Sequence, residues 1–103
     1  MKLLRDKAEF PILEFLRAQS SQAVPVKNIE RHIAEEFGYE WFNLENQRMI
    51  KWEVSFSLSR LAALHMIQAR LEDGYIRITD KGRLVSLDRL TRLNQDFEKS
   101  NRY

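Results

Sequence analysis

The dipeptide Asp73-Gly74 lies between two short segments of alternating apolar and polar residues, and the register it sets limits the fold more than any other feature. A two-residue type I′ turn there would pair Glu72 with Tyr75, Leu71 with Ile76, Arg70 with Arg77 and Ala69 with Ile78. Both strands then agree on their faces. Ile67, Ala69, Leu71, Ile76 and Ile78 share one side, and Gln68, Arg70, Tyr75, Arg77 and Thr79 share the other. Arg70 and Arg77 would meet across the polar face, a like-charge contact that costs a few tenths to ~1 kcal/mol. A DNA phosphate between them would remove the repulsion. Glu72, on the same face, would instead offset it, as surface pairs do by ~0–1 kcal/mol.

The segment feeding this hairpin reads as one long amphipathic helix. On a wheel of about 100° per residue, Ile50, Val54, Ser57, Leu58, Leu61 and Leu64 fall on one face. Met49, Trp52, Phe56 and Ala63 form a second apolar patch, which predicts that two sides of the helix are covered. Between the two lies a polar strip of Arg48, Lys51, Ser55 and Ser59, ending at Ala62. Its first half is cationic and its second half short-chained, which suits a helix laid in a DNA groove. Val54 to Ser59 also alternates with period two, as a strand does, but the 3.6 period continues on either side and favours helix.

Upstream, residues 9–19 predict a first helix with Pro11 at its first position and Ile12, Phe15 and Leu16 as its buried stripe, with Gln19 at the edge. A start capped by Asp6 and Glu9 would put Pro11 inside the helix. Ala23 to Val26 can add a short third strand beside the hairpin. A second helix over about 27–37 buries Ile29, Ile33 and Phe37, is stopped by Gly38 and leaves His32 facing solvent. In the aromatic stretch 39–44, Trp41 or Phe42 plugs the core from the side; the alternative is an exposed aromatic patch for a partner. His65 closes the long helix, a simpler role than catalysis or sensing. After the hairpin, Thr79 or Asp80 caps a final helix over about 80–98. Its strip of Leu84, Leu87, Leu90, Leu93 and Phe97, with Val85 beside it, exceeds what a small core needs and predicts a homodimer interface.

The 103 residues are expected to form a single domain, with a core at about 9–82 and the last helix as a possible dimerisation element. With no cysteine and two histidines 33 positions apart, thiolate metal sites and disulfides are excluded, and no metal or cofactor is implied. No apolar run approaches the ~18 residues of a membrane span and MKLLRDKAEF lacks a leader's apolar region, so a cytoplasmic protein is expected. The net charge of +2 is a mild bias, but Arg77 to Arg92 carries five basic residues (Arg77, Lys81, Arg83, Arg89, Arg92) against Asp80 and Asp88.

The order helix, helix, long helix, hairpin, Ile78-Thr79-x-x-Gly82 and final helix predicts an α+β chain, mostly α. It is that of a winged helix-turn-helix with a C-terminal helix after the wing. Over most of residues 9–85 it resembles the winged-helix domain at the N-terminus of Mrr-type restriction endonucleases. FPILEFL resembles that family's opening Pro-apolar-apolar segment, and VPVKNIERHIAEEFG its second helix. In SFSLSRLAALHMI, Phe56, Ser57, Leu61, His65, Met66 and Ile67 stand for its aromatic, small, leucine and Gly-Leu-apolar positions. GYIRITDKGR matches the hairpin return and the next helix start. His65 replaces a usual Gly, Glu53 a usual Arg near the aromatic position, and the loop before the long helix is shorter. The resemblance implies DNA binding by the long helix and the wing. It does not imply cleavage, because an Asp/Glu-x-Lys element for Mg²⁺ is missing: no acid lies two before any lysine.

No nucleophile elbow or Gly-rich phosphate loop is present, so an enzyme is not expected. The expected function is binding of double-stranded DNA through Arg48, Lys51, Ser55, Ser59, Arg70 and Arg77, as a transcriptional regulator or DNA-targeting module. The alternative is a winged helix used for protein contact through the aromatic loop and the final helix. Pairing of Glu45 with Arg48, or of Glu53 with Arg60, would decide how many cations are free for DNA.

Overall fold

The computed structural model describes residues 7–19, 23–70 and 72–100, with residue 94 and the last four by backbone alone. In chain order the elements are α1 (Glu9–Ala18), β1 (Val24–Pro25), α2 (Val26–Phe37), α3 (Leu44–Ala63), β2 (Ile67–Arg70), β3 (Tyr75–Ile78), α4 (Asp80–Leu84) and α5 (Leu87–Ser100). The protein is therefore mostly helical with one small antiparallel sheet, ordered β1-β3-β2. The short third strand expected near Ala23 to Val26 is present, pairing Val24 with Ile76 and Pro25 with Tyr75.

Helices α1, α2 and α3 close around Ile12, Leu13, Leu16, Ile29, Ile33, Ile50 and Leu61, all fully buried or within one per cent of it. Each such side chain contributes about 1.5–3 kcal/mol by leaving water. Ile67, Ile76 and Ile78 bring the sheet's inner face against the same core. The stripe read on α3 is the observed one: Ile50, Val54, Ser57, Leu58 and Leu61 are buried, and Leu64 packs partly against them. Asn43 caps α3, its Oδ1 accepting from the Asn46 N–H at 3.1 Å. The second apolar patch is covered only at Met49, which packs against the core. Trp52 is 72% exposed and Phe56 47%, because no element of the described residues packs on them.

Both long helices end in the same way. Gly38 N–H donates to Glu35 and Tyr39 N–H to Ala34; likewise His65 N–H donates to Ala62 and Met66 N–H to Leu61. These are paired Schellman bonds, which need a left-handed residue at the turn. Gly38 supplies it with φ 76°, and His65 does so with φ 62° despite its side chain.

The hairpin register is two residues away from the expected one. Ile67 faces Ile78, Gln68 faces Arg77, Ala69 faces Ile76 and Arg70 faces Tyr75. A type I′ turn needs positive φ at both central residues. Gly74 has it at 68°, but His65 is the only non-glycine residue with positive φ among those described, so Asp73 does not. The connection between Arg70 and Tyr75 is accordingly longer than two residues, and Gly74 N–H donates to Arg70 C=O at 3.0 Å. A two-residue shift leaves the described side chains on their expected faces; Leu71 lies outside the described residues. The direct Arg70–Arg77 opposition does not occur.

Helix α1 starts at Glu9, the start of the expected range, so Pro11 is its third residue and not its first. It is still in the first turn, where a missing N–H costs no bond. Leu13 is buried, while Phe15 lies at the edge and stacks on His32, with ring centroids 4.4 Å apart. His32 is therefore half-buried and not solvent-facing. Of the aromatic stretch, Trp41 packs on the core and Phe42 stands 85% exposed.

The single final helix is replaced by two. Thr79 caps α4, accepting from Gly82 N–H at 3.1 Å and donating to His65 C=O at 2.7 Å. The chain then turns extended at Val85, φ −70° and ψ 135°, which buries that side chain. Ser86 Oγ accepts from Arg89 N–H at 3.2 Å and starts α5. From α1, the Arg17 guanidinium donates to the Gly82 and Val85 carbonyls, holding the break in place.

Candidate nucleic-acid interface

Every position of the expected polar strip is on the surface: Arg48, Lys51, Ser55 and Ser59 are all exposed on the outward side of α3. Neither ion pair that would have consumed its cations forms among the described residues. Arg60 turns inward to Glu9, with Nε 3.2 Å from Oε1 and both side chains under a tenth exposed. Arg48 has no ion pair to another described residue. Lys51 is less independent, because it lies within electrostatic reach of Glu30 on α2. Burial pushes the Glu30 carboxyl above its ordinary range, and Lys51 and then Lys27 pull it part of the way back.

Beside this face a groove of about 550 Å³ runs between α3 and the sheet. Ser55, Ser59 and Ala62 form one wall, and Ala69, Ile76 and Val26 the other. The small side chains on both walls keep the groove open. The hairpin's outer face, on the side away from this groove, has Gln68, Arg70, Tyr75 and Arg77 all exposed. Arg70 reaches Asp73 at 3.6 Å, with their side chains 75% and 41% exposed. A pair so open to solvent is worth at most ~1 kcal/mol and yields readily to a stronger anion. Arg77 faces Gln68 and has no ion pair to another described residue. Arg70 and Arg77 are diagonal neighbours on one face, about 7–8 Å apart at the backbone.

The leucine strip is divided by the α4–α5 break. Leu90 is 2% exposed and belongs to the chain's own core, and Leu93 packs partly against it. Leu84 and Leu87 remain exposed, at 85% and 54%. The Phe97 side chain lies outside the described residues. A continuous five-residue dimer face is thus not formed, because Leu90 folds back beside α1.

Four features escaped the periodicity: buried Arg60 with Glu9, buried Glu30, the Arg17 clamp, and the uncovered Trp52. Arg60 did carry a signal, since it falls only about 40° beyond Leu64 on the wheel. The others depend on which elements meet and leave no local trace. Among the described residues no group of three His, Cys, Asp or Glu side chains is placed to hold a metal ion, and no helix is long and apolar enough to cross a membrane. No family model, curated protein or solved structure matches the chain.

Proposed function

We propose that the chain is a winged-helix module that binds double-stranded DNA, as a transcriptional regulator or a DNA-targeting module. Helix α3 addresses the major groove and the β2–β3 hairpin serves as the wing on the backbone. The resemblance to the N-terminal domain of Mrr-type endonucleases supports this reading, and implies binding without cleavage. The observation that carries it is the different fate of the α3 arginines. Arg60 is taken up by Glu9 inside the protein, whereas Arg48 stands exposed in one line with Lys51, Ser55 and Ser59. Phosphate contacts need long cations without internal partners, and close approach to base edges needs short side chains beside them.

With Arg48, Lys51, Arg70 and Arg77 on phosphates, log affinity should fall against log salt with a slope of about −3.6. A duplex titration at ~50 and ~200 mM salt should then show roughly 100-fold weakening. Equal affinity at both concentrations overturns the proposal.

Protein contact through the loop before α3 and the last helices is the second reading, favoured by Phe42 and Leu84, each 85% exposed. It is adopted if the duplex does not bind at low salt. A homodimer through the last helices, which would set two α3 helices on half-sites about 34 Å apart, has exposed Leu84 and Leu87 available for it, whereas Leu90 is buried in its own chain.

A further inference from the structure

Along α3, Arg48, Trp52, Phe56 and Arg60 follow one another at four-residue spacing. On a helix that spacing makes a single slowly winding ridge, each member about 6 Å further along the axis. Its two aromatic members are open to solvent: Trp52 is 72% exposed and Phe56 47%. The cations at its two ends behave differently. Arg48 projects free of ion pairs to described residues, while Arg60 is anchored by Glu9.

That anchor fixes the ridge. The Arg60 guanidinium lies 5.5 Å from the Phe56 ring centroid, so a buried ion pair holds a cation against one side of an exposed ring. Arg60 comes from the turn after Phe56, and Trp52 stands one turn before Phe56. Positions four apart on a helix are offset by about 6 Å along the axis at the backbone, close to the roughly 6.8 Å that two rings need to take one flat base between them, twice the 3.4 Å base spacing. In a fully paired duplex this slot has no occupant, because paired bases show only their edges in the groove.

We propose that Trp52 and Phe56 form a stacking slot for one unpaired nucleobase, with Arg48 on the adjoining phosphate, so that the protein prefers DNA carrying an extruded or unpaired base over perfect duplex. Continuity with the proposed DNA face selects nucleic acid as the occupant: Arg48 precedes the slot by one turn and Lys51 flanks it, both exposed. Two acids stand on this side of α3: Glu45, three residues before Arg48, and half-buried Glu53, next to Trp52 and three residues before Phe56. Stacking on exposed aromatics is tolerant of base identity, so the preference is for the unpaired state and not for a sequence. The inference rests on the DNA-binding proposal and deepens it.

The test measures binding by fluorescence anisotropy to a perfect duplex, the same duplex with one bulged base, and the corresponding single strand. The bulged duplex should bind at least ~10-fold tighter than the perfect one. Trp52→Ala, a change at an exposed position, should abolish that difference while leaving perfect-duplex affinity within about two-fold. Tightest binding to the single strand, lost in the same variant, also supports the slot. Equal affinity for bulged and perfect duplex overturns it, as does a variant that weakens both alike or neither; a ridge serving a protein partner gives the first of these. If none of the three probes binds, the DNA-binding proposal itself falls, and the slot with it.

Discussion

Glu9, the first residue of α1, and Arg60, in the last turn of α3, form an ion pair at 3.2 Å with both side chains almost wholly out of water. It ties the beginning of the chain to the end of the helix that carries the candidate interface. Such a pair contributes little over an apolar pair of the same size, but removing one member strands a buried charge. Glu9→Leu and Arg60→Met should each cost about 3–5 kcal/mol, and the double variant clearly less than their sum. Urea denaturation of the four proteins measures this. Additive losses would mean that the two charges do not depend on each other.

Gly82 packs tightly against the segment between α3 and β2 and against β3. A Cβ there would stand 2.2 Å from the Met66 carbonyl oxygen and 2.9 Å from Ile78 Cγ1. The backbone oxygen cannot yield as a flexible side chain would. Gly82→Ala should therefore destabilise by roughly 2–3 kcal/mol, read as a lower denaturation midpoint. A loss below about 0.5 kcal/mol would show that α4 shifts freely.

His65 pays for its left-handed backbone, and the bond that its carbonyl accepts from Thr79 does not need the imidazole. His65→Gly should raise stability by about 0.5–1 kcal/mol, after the greater freedom of glycine in the unfolded chain is subtracted. Gly38→Ala, at φ 76° in the equivalent turn, should lower it by about 1 kcal/mol. Thermal melts of the two variants should move in opposite directions.

Glu30 gives a pH dependence of defined sign. Burial raises its folded-state pKa, so between the unfolded and folded values the native state holds more protons. Stability is then highest below the unfolded carboxylate pKa and falls as pH rises through the folded one. Glu30→Gln removes that penalty. It should stabilise the protein at about pH 7 and have little effect near pH 3.5. A gain equal at both pH values would place the cause in packing and not in charge.

Much of the fold was legible because it depends on local period and turn chemistry. Ile50, Val54, Leu58 and Leu61 mark the buried side of α3, Gly38 marks the end of α2, and Thr79 the start of α4. The faces of β2 and β3 were also legible, since period two survives a shift of two residues. The register itself was not, because Asp73-Gly74 permits a type I′ turn without requiring one, and the choice fell to a longer loop. The α4–α5 break was hidden for a similar reason: Val85 continues a helical period, and only the core that receives it and the Arg17 clamp make the extended turn favourable. At the candidate site, exposure of Arg48, Lys51, Ser55 and Ser59 followed from the wheel. That Trp52 stays uncovered did not, since an apolar face carries no mark of whether anything packs on it.

The central claim is that exposed cations on α3 and the hairpin contact DNA phosphates, and salt dependence tests it most directly. Wild type, Arg48→Ala and Arg77→Gln are titrated with one duplex across ~50–200 mM salt. Each variant should bind more weakly at ~50 mM, and each should flatten the log–log slope by about 0.9, one phosphate contact. Unchanged affinity and slope in both variants, with intact folds by circular dichroism, would contradict it.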